Sequence, residues 1–151
     1  MDGWLDRWIF KRWLAEERGV AVVETALLFP VMISMLMGVY DLGQGIIVNH
    51  KAINASQVIG DLITRQDDML LSEVNNAITA GRLAFDPYDT APMGHDIMSV
   101  EFDDSSNPVI LWRVTENMSP NNAALDSLED LARPGEGIVV VTVQYTYTPF
   151  F

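Results

Sequence analysis

Glu24 is the one charged residue between Val20 and Tyr40. Those 21 residues are otherwise almost wholly apolar. As a helix they would measure roughly 31 Å, enough to cross the hydrocarbon core of a bilayer. A carboxylate inside such a run costs on the order of 2.5–3.5 kcal/mol by insertion scales, so it calls for a cation. No Lys, Arg or His lies within the run to supply one. Hydrolysis between Gly19 and Val20 would create one. Val20 would gain an α-amino group, and Glu24 would become the fifth residue of the shortened chain. The amine of one subunit could then pair with Glu24 of its neighbour. The bland reading is a glutamate that snorkels to the membrane edge.

A basic leader, a glycine and an apolar helix with Glu in its fifth position resemble a type IV prepilin processing site. The longer stretch Glu17-Arg18-Gly19-Val20-Ala21-Val22-Val23-Glu24-Thr25-Ala26-Leu27-Leu28-Phe29-Pro30, followed by Gly38-Val39-Tyr40-Asp41-Leu42-Gly43, is similar to the TadE-like pseudopilins of tight-adherence pilus systems. Weaker similarity runs through Ala55–Leu62 and returns in Val141–Pro149. The resemblance implies a minor pseudopilin that takes part in assembly of a type IVb-like pilus. It implies a prepilin peptidase that cuts after Gly19, an assembly role for Glu24, and a kink or looser turn at Pro30. It also implies other pilins or pseudopilins and the assembly platform as partners, and a protein that is an enzyme's substrate and not itself an enzyme. In such proteins the Tyr-Thr-Pro segment is usually followed by more residues, so the end is expected to lack a terminal strand or to be truncated.

Other candidate chemistry is sparse. His50 and His95 have no partner at metal-ligand spacing, and both are expected at the surface, His95 in a loop. Asp96, Glu101, Asp103 and Asp104 cluster around an expected hairpin and could offer oxygen ligands to calcium. The ligand pattern of a calcium loop is missing, so a solvated acidic turn is the expectation, with no metal and no cofactor. Trp112 is expected in the sheet core. Neither a phosphate-cradling glycine loop nor a G-x-S-x-G elbow is present. With no cysteine, disulfides and thiolate metal sites are excluded. A net charge of −12 argues against nucleic-acid binding.

Charge placement orients the chain. Met1–Gly19 holds four basic and four acidic residues, whereas everything after Tyr40 holds five basic and 16 acidic ones. Basic residues flanking a membrane helix stay cytoplasmic. This places the N-terminus in the cytoplasm and the acidic part in the periplasm, in a single-pass inner-membrane protein that contacts lipid and could enter an extracellular pilus. The apolar run is too long for a cleaved secretory signal. An uncleaved single-pass scaffold, whose acidic domain binds an envelope or extracellular partner, is the alternative. An anchored enzyme using its acidic cluster with a metal is a third, weaker reading.

The elements that position Glu24 are read as α+β. Residues 1–19 form a leader, with Trp4, Leu5, Trp8, Ile9 and Trp13 at helical spacing over Met1–Glu17. Residues 20–40 span the membrane, and 41–66 extend the same helix as a rod of roughly 70 Å, interrupted near Pro30 and packed through a stripe of Ile46, Ile53, Ile59 and Ile63 with Ile47 and Leu62. Gly38, Gly43 and Gly45 mark its exit as a hinge or a close-packing face. Residues 67–151 form an acidic domain. There Asp67 or Asp68 caps a second helix with Leu70, Val74, Ala77, Ile78, Gly81 and Phe85 on one face. A strand through Met98, Val100 and Phe102 turns at Asp103–Pro108 into one with Ile110, Trp112 and Val114 on a face. Ser119-Pro120 starts a helix with Leu125, Leu128 and Leu131 on one side. A strand from Ile138 to Tyr147 then carries Val139, Val141, Val143, Tyr145 and Tyr147 on one face and Thr142, Gln144, Thr146 and Thr148 on the other. The whole is a pilin-like plan: a long helix, a second helix and a short antiparallel sheet.

Overall fold

The computed structural model describes residues 17–65, 70–129 and 131–151, and of Glu17 and Arg18 the backbone alone. Its elements in order are α1 Glu17–Thr64, α2 Leu71–Ala84, β1 Met93–Phe102, β2 Pro108–Glu116, α3 Asn122–Asp126 and β3 Gly137–Tyr145. The fold is α+β: a long apolar helix, a second helix and a three-stranded antiparallel sheet. The chain divides into two compact units, Met1–Gly43 with Phe150–Phe151, and Gln44–Pro149. The leader helix expected over Met1–Glu17 lies outside the described residues up to its last position. Asp67 and Asp68 also lie outside them.

In the first unit the side chains of α1 stand exposed along the apolar run, Leu27 at 72% and Leu36 at 74%. Among the described residues, α1 is the one helix long and apolar enough to cross a membrane. The Thr25 hydroxyl donates to the Ala21 carbonyl (2.8 Å) and the Ser34 hydroxyl to the Pro30 carbonyl (2.9 Å). These back-bonds hide polar groups that hydrocarbon would not solvate. α1 runs as one helix through Pro30, Gly38, Gly43 and Gly45. A proline can sit within a helix when one lost hydrogen bond is tolerated. The last two residues join this unit through the Asp41 carboxylate, which accepts from the backbone N–H of Phe150 (3.1 Å) and Phe151 (3.2 Å).

In the second unit β1 is the central strand, flanked by β2 and β3 in the order β2-β1-β3. One sheet face packs on helices. Ile59 and Ile63 of α1, Val74, Ala77 and Ile78 of α2, and Ile97 of β1 form a core that Trp112, Val114, Val139, Val141 and Val143 extend. A second cluster adds Val48, Ala55, Phe85 and Met93. Val74, Ala77, Ile78 and Gly81 recur at helical spacing and are buried, which is why 71–84 folds as a helix against this face. At its start the Leu70 N–H donates to the Glu73 carboxylate (2.9 Å). Past its end the Lys51 ammonium donates to the Asp86 carbonyl (2.6 Å) and reaches the Ala84 carbonyl (3.4 Å), a cation satisfying C-terminal carbonyls. Where the helices meet, Gly81 lets α1 come close. A Cβ there would lie 2.6 Å from the Ile59 side chain.

The stripe on α1 therefore differs from the one read from isoleucine spacing. Val48, Ala55, Ile59 and Ile63 are buried, while Ile46, Ile47, Ile53 and Leu62 face out. Close approach of the sheet and α2 favours small side chains at the contact, and a count of large residues misses them.

The other sheet face is apolar as well. Met98, Val100 and Phe102 bury there with Leu128, and Ile110, Ile138, Val140, Ala124 and Leu125 pack around them. Ile110 thus parts from Trp112 and Val114, with which it was expected to share a face. The β1–β2 register steps from Ser99↔Trp112 to Val100↔Ile110, leaving Leu111 as the extra residue of a bulge. One inserted residue turns the following side chains to the opposite face. The helix expected from Ser119-Pro120 is the short α3, with Asn121 as cap accepting from the Ala124 N–H at 3.3 Å. Leu128 is buried but Leu131 is exposed. The strand read over Ile138–Tyr147 is β3, which ends at Tyr145; Val139, Val141 and Val143 pack on the helix face, and Tyr145 and Tyr147 continue it.

Candidate assembly site

Gly19, Val20, Glu24 and Pro30 all lie on α1. Val20 and Glu24 are one turn apart, at a spacing that puts two side chains on the same face of a helix. Glu24 is exposed, amid the exposed Val20, Val23, Leu27 and Leu28. A Cβ at Gly19 would meet nothing within 4 Å. Among the described residues the apolar side chains around the carboxylate are exposed, so they offer surface to lipid or to other helices.

Residues 19–60 match the TadE-like protein family. The match opens on Gly19 and runs through Gly60, so it lies wholly within α1. The resemblance read in Val141–Pro149 falls outside the matched residues. No curated protein and no solved structure matches the chain. The TadE-like family is one of pilus structure and assembly, and residues 19–60 are what this chain shares with it. Among the described residues α1 alone has the length and apolarity for a membrane span, which fits a single-pass membrane protein.

Beyond α1, the polar residues of the sheet fall differently from their sequence reading. Asp96 is not part of an acidic turn. It is 1% exposed within β1, whereas Asp103 and Asp104 lie in the exposed turn that follows. The Asp96 carboxylate accepts from Arg113 Nε (2.8 Å), Arg113 Nη2 (2.5 Å), the Thr115 hydroxyl (2.8 Å) and the Asn121 backbone N–H (2.7 Å). The Arg113 guanidinium beside it holds its carboxyl at about 2, well below the usual carboxylate range, and the Asn121 and Thr115 donors add to the effect. Arg113 also donates to Asn122 Oδ1 (2.8 Å), and Asn121 Nδ2 donates to the Thr142 hydroxyl (3.3 Å). One buried carboxylate thereby ties β1, β2 and the 121–122 turn together, with Asn121 linking on to β3. Asp103 bonds within its own turn, accepting from Ser105 and Asn107 N–H at 2.8 Å each, which lowers its pKa. Among the described residues, no three His, Cys, Asp or Glu side chains form a metal-binding group.

His95 is likewise not on the surface. It is fully buried in β1, which begins earlier than the alternation of Met98, Val100 and Phe102 implied. It pairs with Glu116 in the β1–β2 register and adjoins the Arg82–Glu116 ion pair (2.8 Å). Among the described residues neither ring nitrogen meets a partner. Burial lowers its pKa, the Arg82 charge lowers it further, and Glu116 opposes both. Nothing in the residues nearby in sequence marks Asp96 and Arg113 as a pair. Their meeting depends on the β1–β2 register, which the bulge at Leu111 sets.

Proposed function

We propose that this protein is a minor pseudopilin that takes part in assembly of a tight-adherence pilus, matured by a prepilin peptidase that cuts after Gly19. The observation that carries this reading is the family match opening on Gly19, with Val20 and Glu24 one turn apart on a membrane-length helix. In the mature chain Val20 supplies the amine that answers Glu24 of a neighbouring subunit, and the exposed helix to Tyr40 supplies packing surface. Pro30 bends or loosens that helix where subunits pack. Ile46 and Ile53, exposed further along α1, offer apolar side chains to other pilins and the assembly platform. The N-terminus is cytoplasmic and the acidic domain, residues 67–151, is periplasmic, reached through the helix extension 41–66.

Glu24→Ala tests the assembly role apart from processing. The variant is expected to be cut normally and to lower surface pilus output at least tenfold. Normal output would remove Glu24 from assembly. Gly19→Leu tests the cut. Open space at Gly19 leaves the fold unaffected by the new side chain, so accumulation of the uncut chain would report the peptidase and not misfolding.

A further inference from the structure

The two edges of the sheet are built differently. The β2 edge begins at Pro108, carries the bulge at Leu111, and bears Arg113 and Glu116. These are the devices that keep an edge from pairing with foreign strands. The β3 edge has none of them. Gly137–Tyr145 runs nine residues without proline, charge or bulge and is rich in β-branched residues. Among the described residues its backbone bonds to β1 alone, so the amides and carbonyls of its outer edge meet no protein partner.

A groove of about 620 Å³ lies at this strand. Val48, Asn49 and Ala52 of α1, which belongs to the helix-covered face, form one wall. Ser119 and Asn121, on the opposite face, form another. Thr142–Tyr145 of β3 lies between them. A groove walled from both faces of a sheet opens on the strand's edge. Among the described residues no charged one lines it, in a chain whose net charge is −12.

We propose that the free edge of β3 around Thr142–Tyr145 takes one extended, uncharged strand of a partner polypeptide by β-strand addition. Main-chain hydrogen bonds along such an edge supply affinity with little demand on sequence. The two walls admit a single strand and exclude a preformed sheet that brings its own covering layers. The uncharged lining selects an uncharged segment, because a charge desolvated there would find no counter-ion. This inference stands on the sheet and is independent of the membrane segment and its processing.

The test uses the full chain in detergent micelles and a fluorescent peptide of four Thr-Val repeats, made soluble by two lysines beyond a Gly-Gly spacer. The control peptide is N-methylated at every Thr and Val, which removes the main-chain donors of both its edges. Binding is read by anisotropy and by amide hydrogen exchange. The Thr-Val peptide is expected to bind and to slow exchange in β3 but not in β2, and the methylated peptide is expected to bind at least tenfold more weakly. Asn49 is exposed, so Asn49→Trp fills the groove from the helix wall without disturbing the core, and it is expected to weaken binding at least tenfold. Equal affinity for the two peptides, unchanged binding to Asn49→Trp, or protection on β2 would overturn the proposal. So would efficient disulfide joining of two copies through Gln144→Cys in this cysteine-free chain, which would make the occupant a second copy's β3.

Discussion

Replacing Asp96 with asparagine removes a charge from the most heavily bonded side chain of the sheet while keeping its shape. Four donors converge on that carboxylate, and the Arg113 guanidinium is the strongest of them. Its pKa falls from 3.8 to about 2 in the folded chain. At 1.36 kcal/mol per pKa unit this is worth about 2 kcal/mol of stability. The sign follows from the direction. Between the two values the unfolded state binds more protons, so this stability is fully present above the unfolded value, and it is lost as pH falls through the folded value. Asp96→Asn also strands a mostly buried Arg113, which pushes the cost at pH 7 toward the roughly 3–5 kcal/mol seen when one partner of a buried pair is removed. The assay is urea unfolding followed by Trp112 fluorescence, with Trp4, Trp8 and Trp13 changed to Phe. The variant is expected to lose about 2–4 kcal/mol at pH 7 and to show a flatter decline between pH 4 and 2. An unchanged midpoint, or wild type and variant declining in parallel below pH 4, would refute the reasoning.

Other perturbations are expected to act as follows. Because the folded pKa of His95 lies below its unfolded value, the domain should lose stability as pH falls below about 6.5, the ordinary histidine value, down to the folded pKa. His95→Phe should flatten the thermal midpoint between pH 6.5 and 5, and an equally steep slope would show that His95 is not the titrating group. Gly81→Ala places a methyl 2.6 Å from the fully buried Ile59 side chain and 3.3 Å from the Ala55 carbonyl. It should cost about 1–3 kcal/mol in chemical denaturation as an overpacked contact, and no loss would mean that α1 and α2 separate freely there. Lys51→Met removes the donor to the carbonyls that follow α2. It should raise hydrogen exchange in the last turn of α2 while leaving β1 amides unchanged, and protection as in wild type would assign the cap elsewhere.

The long helix was legible because its signal is compositional: an apolar run broken by one charge needs no tertiary information to be read. The second helix and the final strand were legible for a related reason. Val74, Ala77, Ile78 and Gly81 keep one periodicity, and Val139, Val141 and Val143 another, over enough residues to fix a buried face. The first strand was read too short because Met93–Met98 is buried on both faces, and a doubly buried strand loses the alternation that identifies it. His95 and Asp96 were misplaced with it, since a polar residue beside Pro92 and Gly94 reads as loop until a partner is known. That partner, Arg113, is 17 residues away. Ile110 was assigned to the wrong face because a single bulge residue has no sequence signature. The packing stripe of α1 was misread where alanine, and not isoleucine, makes the contact.

The central claim is that the Glu24 carboxylate is answered by an amine made when the chain is cut. Intact mass of the protein purified from pilus-producing cells, with and without the prepilin peptidase, tests it most directly. The account predicts a chain beginning at Val20 when the peptidase is present and one retaining residues 1–19 when it is absent. A product that keeps residues 1–19 in cells with an active peptidase would contradict it.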